Sequence, residues 1–168
     1  GVAIANHAES GETLKAFVAE NRLAKVTSRM KAGDYLFIQF NHNDQKPGAN
    51  HLEPFTTYKD QVKLFIAAAR ERGATPVLVT SMLRRKFDAA GRIVNTLGDY
   101  PEALRQVARE EGVALIDLFG ASKSLYEALG PEGSKRAFVH YPAGSFPGQD
   151  QELKDDTHFS PYGAYQLA

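Results

Sequence analysis

The sequence predicts a three-layer α/β/α sandwich on a mainly parallel sheet, and three observations carry that prediction. Near-continuous apolar, β-type runs recur at residues 2–5, 35–40, 75–80 and 113–118, as expected of strands buried on both faces. Helix-length segments with a period near 3.6 lie between them. Glycines stand just beyond two of those segments, where a left-handed cap residue is favoured.

Each element follows in order. The run at residues 2–5 leads through Asn6-His7-Ala8-Glu9-Ser10-Gly11 into a helix predicted around residues 13–21. Gly11 there either lets a backbone N–H approach a reacting oxygen or simply permits the turn. The strand at 35–40 runs into a polar stretch, residues 41–57. Residues 58–72 then place Val62, Phe65, Ile66 and Ala69 on one helical face, with Gly73 as the stop before the strand at 75–80. Residues 100–111 repeat the device with Leu104, Val107 and Ala108, ended by Gly112 before the strand at 113–118. Strand, crossover helix and strand in alternation produce a sheet with helices on both faces. The stretches 41–57 and 130–162 are rich in Pro, Gly, Asn, Asp and His, and are predicted as loops. The first sits at the carboxyl edge, where open α/β sheets bind ligands. Residues 165–168 read as the opening of a helix, and the chain begins with neither Met nor a signal peptide, so one domain over residues 1–168, trimmed at both ends, is expected.

Composition narrows the chemistry. A length of 168 residues suits one domain. Lys and Arg number 20, as do Asp and Glu, so no overall field recruits nucleic acid. No apolar run approaches the ~18 residues of a membrane helix, and neither partner is expected. The absence of cysteine excludes disulfides, thiolate zinc, iron–sulfur clusters and a cysteine nucleophile. His42, His51, His140 and His158 lack the spacing of a catalytic zinc motif, so no metal is predicted.

Two clusters remain. Asn41-His42-Asn43-Asp44 follows a strand directly, so its amides either serve an oxyanion hole or cap a turn. In Asp155-Asp156-Thr157-His158 a carboxylate three residues from an imidazole can hold its Nδ1–H and leave Nε2 as a general base. The alternative is a solvated acidic turn. Arg84, Arg85 and Lys86 follow the strand at 75–80, where they either pair with ligand carboxylates or form a basic turn. Tyr141, Phe146 and Phe159 either stack on a ligand or pack the loop.

Taken together, Asn6-x-Ala8-x-x-Gly11, His42-Asn43-Asp44 and Asp155-x-x-His158 resemble three of the four blocks of the SGNH hydrolase superfamily, the GDSL-type esterases. The runs from Phe40 to Lys46, Pro76 to Thr80, Arg84 to Gly91 and Asp155 to Ser160, with Gly163-Ala164, look like bacterial rhamnogalacturonan acetylesterases across essentially the whole chain. That resemblance implies a flavodoxin-like sheet and removal of O-acetyl groups from an acetylated oligo- or polysaccharide, without a cofactor. It also implies Gly11 and Asn43 as oxyanion donors, His158 as general base and Asp155 as its orienter, with His42, Arg84 and Arg85 toward the substrate. A polymeric substrate implies secretion or the periplasm rather than the cytoplasm.

The sequence departs from the pattern twice. Asn41 stands where the family usually has Gly. No Gly-Asp-Ser occurs, and of the serines only Ser10 and Ser81 closely follow predicted strands. The expectation is therefore a fragment lacking the first, central strand and the nucleophile turn, inactive as it stands. Another SGNH esterase acting on acetylxylan or a lipid ester shares every feature except the pocket lining. A non-catalytic carbohydrate-binding homologue explains the absent serine but gives Asp155 and His158 no task.

Overall fold

A computed structural model describes residues 2–168. The chain divides into two compact units, the first running to Ser81 and resuming over Asp99–Ile116, the second comprising Met82–Gly98 and Asp117–Ala168.

The first unit holds a parallel sheet of β1 (Tyr35–Ile38), β2 (Thr75–Val79) and β3 (Ala114–Ile116), in that spatial order. Helices α1 (Leu14–Ala19), α2 (Arg22–Arg29), α3 (Lys59–Glu71) and α4 (Tyr100–Glu111) complete it. Successive strand residues point to opposite faces. Ile38 and Leu78 therefore share the face that packs in one core with Leu14, Phe17, Val62, Phe65, Ile66, Leu104 and Val107. Both crossover helices stop as the sequence predicts. Gly112 adopts φ 60°, ψ 41° and donates its N–H to the Ala108 and Arg109 carbonyls, while Gly73 follows α3 at φ 68°. Thr13 caps α1 by accepting the Ala16 amide at 3.0 Å.

The second unit comprises α5 (Leu118–Gly133), a 3₁₀ turn Ser134–Ala137, the antiparallel pair β4 (Phe138–Tyr141) and β5 (Leu153–Phe159), and α6 (Pro161–Leu167). Its core joins Leu83, Ile93 and Leu97 to Tyr126 and Phe138. The Tyr126 and Phe138 rings lie 5.0 Å apart in an edge-to-face contact.

Four expectations are corrected. Residues 2–5 form no strand, and Val2 and Ile4 are 95% and 91% exposed. A strand exists only by pairing its backbone groups, and none of the described strands pairs with this run. The run at 35–40 is buried on one face rather than both, since Tyr35 and Phe37 are 66% and 61% exposed. Residues 130–162 are no loop, because they contain β4, β5 and the start of α6. Residues 165–168 close α6 instead of opening a helix, because Ser160 already caps it by accepting the Gly163 amide at 3.2 Å.

Candidate active site

In the first unit, the turn after β1 carries Asn41 to Asp44. Asp44 is fully buried and accepts the Leu14 amide at 2.8 Å. The Asn43 Nδ2 donates to the Glu12 carbonyl at 3.1 Å. These two bonds tie the segment before α1 to the turn after β1, and so bring Gly11 and Asn43 to one cleft of about 240 Å³. Gly11 holds φ +80°, a left-handed conformation suited to glycine. An Asn amide has two N–H donors, so one remains for a ligand after Glu12 is served.

The same turn is strained and charged. Asn41, only 2% exposed, takes φ +147°, a region that residues with a Cβ rarely enter. Burial pushes the Asp44 carboxyl up to about 6, and the Leu14 amide only partly opposes this. His42 is half-buried and does not line the cleft.

Lys46 and His51 do line it, and the sequence reading gives them no role. The Lys46 Nζ donates to Asn43 Oδ1 at 2.7 Å, and His51 pairs with Glu53 at 3.1 Å. The available signal was the Pro47-Gly48 dipeptide, a turn former. The His51 amide donates to the Gly48 carbonyl at 3.1 Å and the Leu52 amide to the Asp44 carbonyl at 3.0 Å, folding the loop back on itself.

In the second unit, Phe138 pairs with Phe159 while the next residue, Val139, pairs with Asp155. Asp156, Thr157 and His158 are thereby extruded from the ladder as a bulge, a feature common beside active sites. Asp155 shapes it, accepting the Thr157 amide at 2.7 Å and the His158 amide at 2.9 Å through Oδ1. Its Oδ2 lies 2.6 Å from His158 Nδ1. Burial opposes the Asp155 charge, but the His158 amide and imidazole and the Thr157 amide outweigh it and hold the carboxyl below its ordinary range. A carboxylate only accepts, so Nδ1 carries the proton and Nε2 is left with its lone pair on a side chain that is 71% exposed.

The remaining candidates separate. Arg85, expected toward the substrate, is engaged within the protein. Its guanidinium donates to Ser134 Oγ at 3.0 Å, Asp156 Oδ1 at 2.9 Å and the Pro131 carbonyl, and its amide donates to the Asp156 carbonyl at 2.8 Å. His140 also meets Asp156 Oδ1, at 2.8 Å. Arg84 is half-buried. Phe159 packs 5.4 Å from Phe138, and Tyr141 packs 5.1 Å from Phe146. Ser81 is buried and donates to the Phe40 carbonyl at 3.3 Å. Among the described residues no three His, Asp or Glu side chains are grouped as metal ligands.

Residues 1–165 match the model of the GDSL-like lipase/acylhydrolase family. The rhamnogalacturonan acetylesterase RhgT of Bacillus subtilis strain 168 is 47% identical over 168 residues, which is 100% of this chain and 72% of that protein. The probable rhamnogalacturonan acetylesterase YesY of the same organism is 35% identical, over 99% of this chain and 73% of its own length. Among solved structures, YxiM of Bacillus subtilis superposes with a TM-score of 0.80 at 25% identity, over 98% of this chain and 43% of that one. A variant of an acetyl-xylooligosaccharide esterase from Geobacillus gives 0.65 at 18% identity, over 95% of this chain and 65% of that one. The likeness to these structures confirms the α/β sandwich class.

Proposed function

Because the chain belongs to the GDSL-like lipase/acylhydrolase family, we propose that it is the larger part of a serine carbohydrate esterase that removes O-acetyl groups from rhamnogalacturonan. The observation that carries the reading is the imidazole of His158, oriented by Asp155 at 2.6 Å through Nδ1 and exposed through the rest of its ring. A base held in one tautomer with Nε2 outward is what deprotonation of a serine hydroxyl requires. The similarity to two Bacillus acetylesterases supports the choice of substrate. Ser81 is buried and no Gly-Asp-Ser occurs in the sequence, so this reading takes the attacking serine from outside these residues.

In this mechanism the serine Oγ attacks the acetyl carbonyl as His158 Nε2 takes its proton. The Gly11 amide and the free Asn43 N–H stabilise the resulting oxyanion, a contribution of ~2.7–4 kcal/mol for a side-chain donor. His158 then returns the proton to the departing sugar hydroxyl, and water repeats the cycle on the acetyl-enzyme. Action on the polymer itself, rather than on imported oligosaccharide, goes with a location outside the cytoplasm.

The test is acetate release from O-acetylated rhamnogalacturonan by the full-length protein. His158→Ala is expected to lower turnover by roughly 10⁴-fold with the thermal transition preserved. Undiminished release by a folded His158→Ala variant, or better turnover of acetylated xylan than of the pectic polymer, overturns the base or the substrate respectively.

A further inference from the structure

We propose that Lys46 is a positioning residue for the oxyanion donor Asn43, fixing which end of the amide faces the reacting ester and strengthening its N–H. The proposal rests on the reading of Asn43 as an oxyanion donor. A carboxamide can sit either way round, and its two ends differ only in hydrogen-bonding character. Here one end meets the Glu12 carbonyl, which can only accept, at 3.1 Å, and the other meets the Lys46 ammonium, which can only donate, at 2.7 Å. The two contacts together admit a single orientation, with nitrogen toward the Glu12 carbonyl.

Lys46 is itself held in place. Its backbone amide donates to the Asn43 carbonyl at 3.0 Å, so its side chain folds back over the residue that its own turn closes. It forms no ion pair with any described carboxylate, and its ammonium is directed to the amide oxygen alone. A cation on that oxygen draws electron density from the amide nitrogen and makes the remaining N–H a better donor to developing negative charge. Both residues line the same cleft. As substrate displaces water from it, the lower local dielectric strengthens the contact.

The experiment compares full-length wild type, Lys46→Met, Lys46→Arg, Asn43→Ala and the Asn43→Ala/Lys46→Met double variant. The substrates are O-acetylated rhamnogalacturonan oligosaccharide and the uncharged ester p-nitrophenyl acetate. Lys46→Met is expected to lower kcat about tenfold on both with KM little changed, less than the ~10²–10³-fold loss from removing the donor itself. Lys46→Arg is expected to restore most of the loss, and Lys46→Met to add nothing once Asn43 is gone. An unchanged kcat in Lys46→Met, an additive loss in the double variant, or a rise in KM confined to the acidic oligosaccharide overturns the proposal. A full kcat in Asn43→Ala instead removes the oxyanion reading beneath it.

Discussion

Asn41 shows how much a single backbone angle can matter. Its φ of +147° places a Cβ where glycine is at ease, a conformation that costs of order 1–3 kcal/mol. The resemblance to esterases with Gly at this position gains a physical reason. Asn41→Gly is expected to stabilise the protein by about 1 kcal/mol, a rise of roughly 2–4 °C in Tm at this chain length. A lower melting temperature would show that its buried side chain outweighs the strain. Asp44, three residues further on in the turn after β1, couples that turn to pH. Its carboxyl lies near 6 when folded against 3.8 ordinarily, so between those values the folded state binds more protons than the unfolded one. The contribution of this group to stability therefore falls as pH rises from about 4 to above 6. Asp44→Asn keeps an acceptor for Leu14 and removes the ionisation. Urea titrations at pH ~4.5 and ~7 should show a smaller loss between the two in the variant, and an identical slope would rule Asp44 out as its source. Asn43 stood out in this turn only through the resemblance carried by the combined blocks, because Asn and Asp after a strand serve equally well to cap a turn. Lys46 did not stand out, because the direction of a flexible cation is set by a contact that the sequence does not print.

At the scale of elements, β5 carries the principal lesson. Leu153-Lys154-Asp155-Asp156-Thr157-His158-Phe159 contains little apolar alternation, and it read as loop for that reason. The structure makes it a strand whose polar residues are consumed by the bulge: Asp155 by two amides and an imidazole, Asp156 by Arg85 and His140. Patterning detects strands that bury side chains, whereas this one is fixed by hydrogen bonds. α5 was obscured differently, since residues 119–129 drew no assignment and the stretch from residue 130 reads as loop; Gly130 does break helical geometry at φ 69°, while the turns before it persist. The seat of α6 is the most exacting contact in this unit. A Cβ on Gly163 would come within 2.0 Å of the Ala137 carbonyl oxygen, a backbone atom with nowhere to retreat. Gly163→Ala is expected to cost 3 kcal/mol or about that, read as a fall in Tm on the order of 10 °C. A variant melting within ~2 °C of wild type would mean that α6 does not pack there.

For the molecule as a whole, the strand–helix–strand rhythm made β1 to β3 and both crossover helices readable, because their apolar spacing reflects a core that the chain must bury. Edges are not written in the same way. β1 pairs only with β2 among the described residues, and it exposes Tyr35 and Phe37 beside that free edge. An open, apolar edge strand is a template for association. The 168-residue chain is therefore expected to self-associate in sedimentation velocity, and Phe37→Lys to shift it toward monomer; a monomeric wild type refutes this. The division of the chain also has a consequence for its birth on the ribosome. Met82–Gly98 emerges early, yet its partners come late: Leu83 awaits the hydroxyl of Ser122, Ile93 the carboxylate of Glu127, and Arg85 the distant Asp156. Throughout translation of the final third, that excursion stays unsatisfied and sticky. The interval is one in which chaperones, rather than the fold, must guard the nascent protein.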